Sequence, residues 1–384
     1  MSELAPTTEA ELAEAVRDAA ARRAPLLIRG GGTRGLGHGV EGATLLTAGL
    51  SGVTLYEPGA LTLVVRAGTP LEAVEALLAA EGQRLPFEPW DGRALTGANG
   101  APTIGGMVAV NASGPRRLQA GACRDSMIGV RFVDGTGAIV KNGGRVMKNV
   151  TGLDVVKLMA GSHGTLGVLT EVGFKVLPAS ETTATLVFEG HDVPRAVAAM
   201  TAATGTPFDI SGAAHVPGGS GAPPRTMIRL EGFARSVAHR ARALAEALAE
   251  FGTPETVEGP GDWAAIRDAR AFAGLPGAVW RVSVRPTDGA RVVAALPGAV
   301  AILDWAGGLV WVRVPEEVDL RGALAGIPGH ATLVRAGEAA KARWGVFHPE
   351  PAPVAAIAAG LRAKFDPAGV LNPGRMGAAA PVPA

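Results

Sequence analysis

The apolar positions of this chain fall into short periodic runs, each closed by glycine, proline or a capping residue. Thr8-Glu9-Ala10-Glu11 has the spacing of a capping box and opens an alanine-rich helix running to about residue 22. Behind Pro25, Leu26, Leu27 and Ile28 predict a short buried strand, which leads into Arg29-Gly30-Gly31-Gly32-Thr33-Arg34-Gly35. Residues 43–46, 53–56 and 61–66 read as further strands. Thr69-Pro70-Leu71-Glu72 combines an N-cap, proline at the first helical position and Glu at N3, so a helix is expected from there to about residue 80. Residues 128–133 and 138–141 alternate as strands, with the hairpin signal Asp134-Gly135-Thr136-Gly137 between them. A short helix is expected over 154–159 and a strand over 168–176, closed by Pro178.

Beyond Pro178 the texture changes. Strands are expected at 185–189, 225–232, 279–284, 300–303 and 309–314, with helices at 194–203, 236–251, 262–271 and 353–365. Gly307-Gly308 suits a hairpin between the last two strands, and residues 216–224 read as an exposed loop. Helices alternating with hairpins predict an antiparallel sheet covered by helices, an α+β arrangement.

Composition narrows the function classes. The 384 residues suffice for two domains. Balanced charge, 36 basic against 35 acidic residues, argues against a nucleic-acid binder. No apolar run is long enough for a membrane span, and the acidic N-terminus lacks the features of a secretory signal. The single cysteine, Cys123, excludes internal disulfides and a cysteine-ligated iron–sulfur cluster within this chain, and a reducing cytoplasmic setting is the simplest reading.

Two glycine-rich segments are the candidate chemistry. In residues 103–117, TIGGMVAVNASGPRR, Gly105 and Gly106 would let a ligand approach the backbone and the arginines add positive charge, which suggests a nest against a partly anionic cofactor. Gly30, Gly32 and Gly35 satisfy G-x-G-x-x-G directly after a strand. A dinucleotide-binding Rossmann turn must open a helix, and none begins here. A plain surface turn is a second reading. A diphosphate loop that binds through backbone N–H groups without a helix fits best.

PLLIRGGGTRGLG, TIGGMVAVNASG and GSHGTLGVLTEVGFKVLP resemble, in order and separation, the flavin-binding domain of the vanillyl-alcohol oxidase superfamily (PCMH-type FAD-binding). PFEPWD, NASGPRRLQAGACRD and the terminal DPAGVLNPGRM are similar to the smaller FAD-binding subunits of bacterial glycolate oxidases. The likeness is dense over 25–178 and 365–376 and thin over 180–340. It implies a PCMH-type FAD-binding domain of two α/β subdomains at 1–178, a smaller antiparallel-sheet cap domain with helices at 179–345, and a C-terminal helix and tail at 346–384 returning to the FAD domain.

On this resemblance Arg29, Gly30, Gly31, Gly32 and Thr33 would wrap the FAD pyrophosphate. Pro58, Gly68 and Thr69 would lie near the adenine side, although Thr69 also reads as a helix cap. Thr103, Gly105, Gly106, Asn111 and Gly114 would line the flavin, with a turn-stabilising amide as the other reading of Asn111. Arg124, Gly164, Gly167, Val168 and Asn372 complete the implied cofactor set. Arg116, Arg117, Arg124, Lys148 and Lys157 form a cationic group that would face flavin or a substrate carboxylate, or simply solvent. Thr33 stands where some members link FAD to a histidine, so FAD is expected to be non-covalent. His163 is either a base or a packed loop residue. The histidine-rich metal-binding segment of related hydroxy-acid dehydrogenases is missing, so no metal site and no catalytic residue is assigned. The implied partners are a larger homologous FAD-binding subunit and an iron–sulfur subunit, with a small 2-hydroxy acid as substrate. The implied location is the cytoplasm, at the periphery of the inner membrane through those partners. The alternatives are a non-catalytic structural or regulatory subunit, or a free-standing FAD-dependent 2-hydroxy-acid dehydrogenase.

Overall fold

The computed structural model describes residues 2–144, 153–219 and 221–377. The first sheet is small and parallel, in the order β1 (Glu3–Leu4), β3 (Ala43–Leu46), β2 (Leu26–Arg29). The helix Glu9–Arg22 carries the expected capping box at Thr8 and Glu11. Its buried stripe, Leu12, Ala13, Val16 and Ala19, closes over Leu26 and Leu45. Parallel neighbours usually need a helical crossover. Here β2 reaches β3 through residues 30–42 with no helix at all, so the Rossmann reading fails on geometry.

The second sheet is antiparallel, in the order β4 (Val53–Glu57), β5 (Thr62–Arg66), β9 (Val168–Lys175), β7 (Met127–Val133), β8 (Ile139–Gly143). A two-stranded ribbon, β6 (Gln83–Arg84) with β10 (Leu177–Pro178), flanks it. The hairpin between β7 and β8 closes as expected, with Asp134 N donating to Ala138 O. Thr69 does not cap the following helix, Leu71–Ala80, whose cap position is Pro70. The Thr69 hydroxyl instead donates to Arg66 O and accepts from Gly52 N, clamping two loops.

The third sheet has eight antiparallel strands: β14 (Glu255–Glu258), β11 (Thr182–Glu189), β13 (Arg225–Gly232), β12 (Gly212–Val216), β16 (Val300–Asp304), β17 (Leu309–Val314), β15 (Ala278–Val284) and β18 (Gly329–Arg335). One face, with Leu186, Ile228, Trp280 and Val312, packs on the helices Val193–Thr204 and Ala234–Ala247. The other face, with Met227, Ile302, Leu309 and Trp311, shares a core with the five-stranded sheet. After the helix Ala352–Phe365 the chain returns to β2, where Leu371 forms a parallel bridge to Leu26.

Candidate functional site

The glycine loop lies over a cleft with about 560 Å³ of open space, walled by residues 28–36, by Thr103, Gly106, Ala109 and Val110, and by His163, Asn372 and Arg375. A second depression shares Ile28, Gly30, Gly106, Ala109, His163 and Asn372 with it and adds Gly105, Gly164, Gly167 and Thr47. Among the described residues, none of the backbone N–H groups from Gly30 to Leu36 donates to a protein acceptor. Successive unpaired amides of this kind form an anion-binding surface. Two features keep the loop bare. A Cβ on Gly31 would overlap the Ala101 carbonyl, and Gly32 has φ +67°, in the left-handed region that favours glycine.

The segment 103–117 departs from the expected nest. Residues Ile104–Ala109 form a short helix, capped by the Thr103 hydroxyl accepting from Gly106 N. Gly105 N donates to Ala67 O at 2.7 Å, and a Cβ on Gly105 would meet the Ala67 methyl at 2.9 Å. Gly105 therefore serves close packing on the end of β5, and the free amides belong to the 30–36 loop.

The other candidates divide. Arg29, Gly30, Gly31, Gly32, Thr33, Thr103, Gly105, Gly106, Gly164, Gly167 and Asn372 all line the two depressions. Asn372 uses both ends of its amide on the protein: Oδ1 accepts from Ile28 N and Nδ2 donates to His163 O, each at 2.8 Å. It thereby fixes the glycine loop against the 161–167 turn. Asn111 Oδ1 accepts from Arg124 N at 3.0 Å, which ties the two turns together. Pro58, Gly68, Asn111, Gly114, Arg124 and Val168 line neither depression. Pro58 O accepts from Gln83 Nε2, Gly68 N donates to Leu50 O, and Val168 is buried in the core beside the first helix.

The cations scatter. Lys157 donates to the carbonyls of Arg124 and Met127, and Arg124 is exposed beside Asp125. Arg116 is buried in an ion cluster with Glu88, Glu231, Arg229 and Arg84 between the five- and eight-stranded sheets. Arg117 lies with its guanidinium 4.5 Å from the Trp305 ring centroid. Lys148 lies outside the described residues. Sequence reasoning missed Arg375, which stands in the quoted LNPGRM tail. Its stem crosses Gly37, and its guanidinium lines the cleft with no protein hydrogen-bond partner among the described residues. Burial lowers its pKa.

His163 lines both depressions and packs edge-on against Phe347, ring centroids 4.8 Å apart. Burial, with a smaller contribution from Arg375, pushes its pKa down to about 4. It is neutral at pH 7, as a packed loop imidazole would be. Among the described residues no group of three or more His, Cys, Asp or Glu side chains gathers as a metal site, and no helix is long and apolar enough to cross a membrane.

A loop of free amides, a nearby arginine and glycines that let the loop pack closely on residues 101 and 103 fit a bound dinucleotide pyrophosphate. A sequence profile described as FAD binding domain matches residues 3–143. A solved structure of alkyldihydroxyacetonephosphate synthase shares the fold with a TM-score of 0.67, at 15% identity over 97% of this chain and 76% of that one. The molecule is thus an FAD-binding protein of PCMH-type fold, α+β in class. FAD is held non-covalently, and the loop position 33 carries a buried threonine. The chain belongs to the family of glycolate oxidase subunit GlcE: the Escherichia coli (strain K12) protein of that name is 36% identical over 368 residues, 95% of this chain and 96% of that one. Glycolate oxidase subunit GlcD of Bacillus subtilis (strain 168) is 32% identical over 187 residues, 48% of this chain and 38% of that protein.

Proposed function

We propose that this chain is the FAD-binding subunit of a complex that oxidises glycolate or a similar 2-hydroxy acid to the 2-oxo acid. The observation that carries this reading is the similarity to subunit GlcE along nearly the whole of both chains. FAD, when bound, supplies a two-electron acceptor for the hydride released in that oxidation. The N–H groups of residues 30–36 and the Arg375 guanidinium would hold its pyrophosphate. Thr103, Gly106, Gly164 and Gly167 would leave room for the rest of the cofactor, with Asn372 fixing the two walls relative to each other.

The chain's own acid–base equipment is sparse. His163 is held neutral by burial and is a weak base. Cys123, the single cysteine, is fully buried with its thiol pKa pushed up by desolvation, so it is unsuited to ligate a cluster. These features favour division of labour: a larger homologous FAD-binding subunit would carry most of the alcohol oxidation, and an iron–sulfur subunit would pass electrons on. The assembly would sit in the cytoplasm, held at the inner membrane through those partners.

Anaerobic mixing of the FAD-loaded chain with glycolate tests this, alone and together with its partner subunits. The expected result is no bleaching or very slow bleaching by the chain alone, and rapid bleaching in the complex. Fast bleaching by the chain alone would make it a free-standing dehydrogenase. Complex activity indifferent to the flavin content of this chain would make it a structural subunit.

A further inference from the structure

Where the eight-stranded sheet meets the FAD-binding half, one guanidinium from each side lacks a salt-bridge partner among the described residues. Arg281 on β15 is paired with Trp311 on β17 and Thr332 on β18, and its neighbour in the same row, Ser283, is paired with His330. Trp311 belongs to the core shared with the five-stranded sheet, so this row faces the cofactor-binding half. Across the seam, Arg117 follows directly on the 103–116 segment that begins at the cleft.

Both guanidiniums converge on one ring. The Trp305 centroid is 4.5 Å from the Arg117 Cζ and 5.0 Å from the Arg281 Cζ. Trp305 is itself held in place. Its indole N–H donates to Gly114 O at 2.9 Å, and its backbone N–H donates to Asp304 Oδ1 at 2.7 Å. Its φ of +51°, followed by +57° at Ala306, puts two non-glycine residues in the left-handed region at this hairpin. Such strain is concentrated at sites that need an exact placement of a side chain.

Neither Arg117 nor Arg281 forms a salt bridge among the described residues, and the remaining positions carry no Asp or Glu. Arg281 Nε is buried and has no hydrogen-bond partner. Both arginines are half-buried, and His330 beside them is exposed. Buried Asp304 acts on Arg281 as an opposing charge, but its carboxyl is raised to about 7 by burial, accepts from Trp305 N and forms no salt bridge with the guanidinium, so two cations brought together away from bulk water still gain from an anion that joins them. Burial first, and the Arg117 charge second, push the Arg281 pKa down to about 10, still fully cationic at neutral pH. The His330 imidazole is likewise lowered by burial and then by Arg281. The cluster is linked to a wall of the cofactor cleft through intervening residues: His348 accepts from Ala331 N on β18, and the preceding Phe347 packs on His163.

We propose that Arg117 and Arg281, set over Trp305 at the seam, form a carboxylate subsite that takes the carboxylate of a small 2-hydroxy or 2-oxo acid. The assignment rests on the reading of the chain as a subunit acting on 2-hydroxy acids. Guanidinium pairs suit a planar carboxylate, which can accept one N–H from each side.

The test is calorimetric titration of the purified chain with glycolate and with oxalate, with ethylene glycol as the uncharged analogue. FAD content is read separately from the visible spectrum. Arg117→Met and Arg281→Met keep the side-chain stem over the indole and remove the charge; Arg281→Lys keeps the charge and loses the fork. The expected result is binding of both anions but not of ethylene glycol, weakened at least tenfold in either Met variant and partly restored in the Lys variant, at unchanged melting temperature and FAD content. Anion binding equal to wild type in both Met variants overturns the subsite, as does a wild-type chain that takes up FAD and binds neither anion. A chain that takes up no FAD contradicts the functional reading instead, while its anion titration still decides the subsite.

Discussion

At the scale of single residues, the cofactor loop depends on where side chains are missing. Gly31 and Gly39 make the contrast. A Cβ on Gly31 would overlap the Ala101 carbonyl, which is backbone and cannot swing aside, whereas a Cβ on Gly39 would meet nothing within 4 Å. Gly31→Ala is therefore expected to push the loop away from residue 101 and weaken FAD binding at least tenfold. Gly39→Ala should leave it within twofold of wild type, read by titration of FAD fluorescence quenching. Equal affinities in the two variants would mean that the loop does not touch the cofactor. The loop itself was legible in the sequence as a glycine run after a strand, but which of its glycines meets backbone was not. The particular partners of Thr69 and Asn111 were not legible, since each satisfies a backbone group that only the folded loop brings near.

At the scale of elements, the periodic runs located most strands and the long helices, because each buries one clear face. The strands β1, β6, β12, β14 and β18 were missed, as was the helix within 104–109. Two glycines and a valine make that helix poor by propensity. It forms because Thr103 caps it and β5 ends against it. The same limit applies to the arginine pair on Trp305. Arg117, Arg281 and Trp305 meet only through the register of β15, β17 and β18 and the seam with the FAD-binding half. The C-terminal tail was readable as a returning segment, but its use of Asn372 to tie β2 to the 161–167 turn was not.

At the scale of the molecule, the buried ion cluster joins the eight-stranded sheet to the FAD-binding half. Glu231, 8% exposed, accepts from Arg116 Nε and Nη2 and from Arg84 Nη1, while Glu88 accepts from Arg229. Burial raises both carboxyl pKa values, but the arginines outweigh it and hold them below the ordinary 4.5. Removing one partner of a buried pair leaves an uncompensated charge, so Glu231→Gln is expected to cost about 3–5 kcal/mol in urea unfolding. The pH dependence follows by linkage. The two carboxylates contribute stability that is full above about pH 4.5 and lost as the pH falls below it. Half-buried His163 and buried His215, each pushed down to about 4, contribute stability that is full above 6.5 and lost between 6.5 and about 4. Buried Asp304, raised to about 7, opposes them: its contribution is full below 3.8 and fades as the pH rises through 7. His330 and His348, also lowered by burial, act with the two histidines, and Glu75 and Asp366, raised by burial, act with Asp304; four histidines against three acids leave a net fall in wild-type melting temperature below pH 6.5, steepening below 4.5. In Glu231→Gln the lower, steeper limb should flatten; an unchanged acid profile would remove the cluster from this account.

The central claim is that the free amides of residues 30–36 belong to an FAD site. It is tested most directly by stripping the purified chain of flavin and titrating it with FAD while recording the visible spectrum. The account predicts saturable binding at one FAD per chain, with the flavin absorbance perturbed and the cofactor released on denaturation. A chain that remains colourless and leaves the spectrum of added FAD unchanged would contradict it.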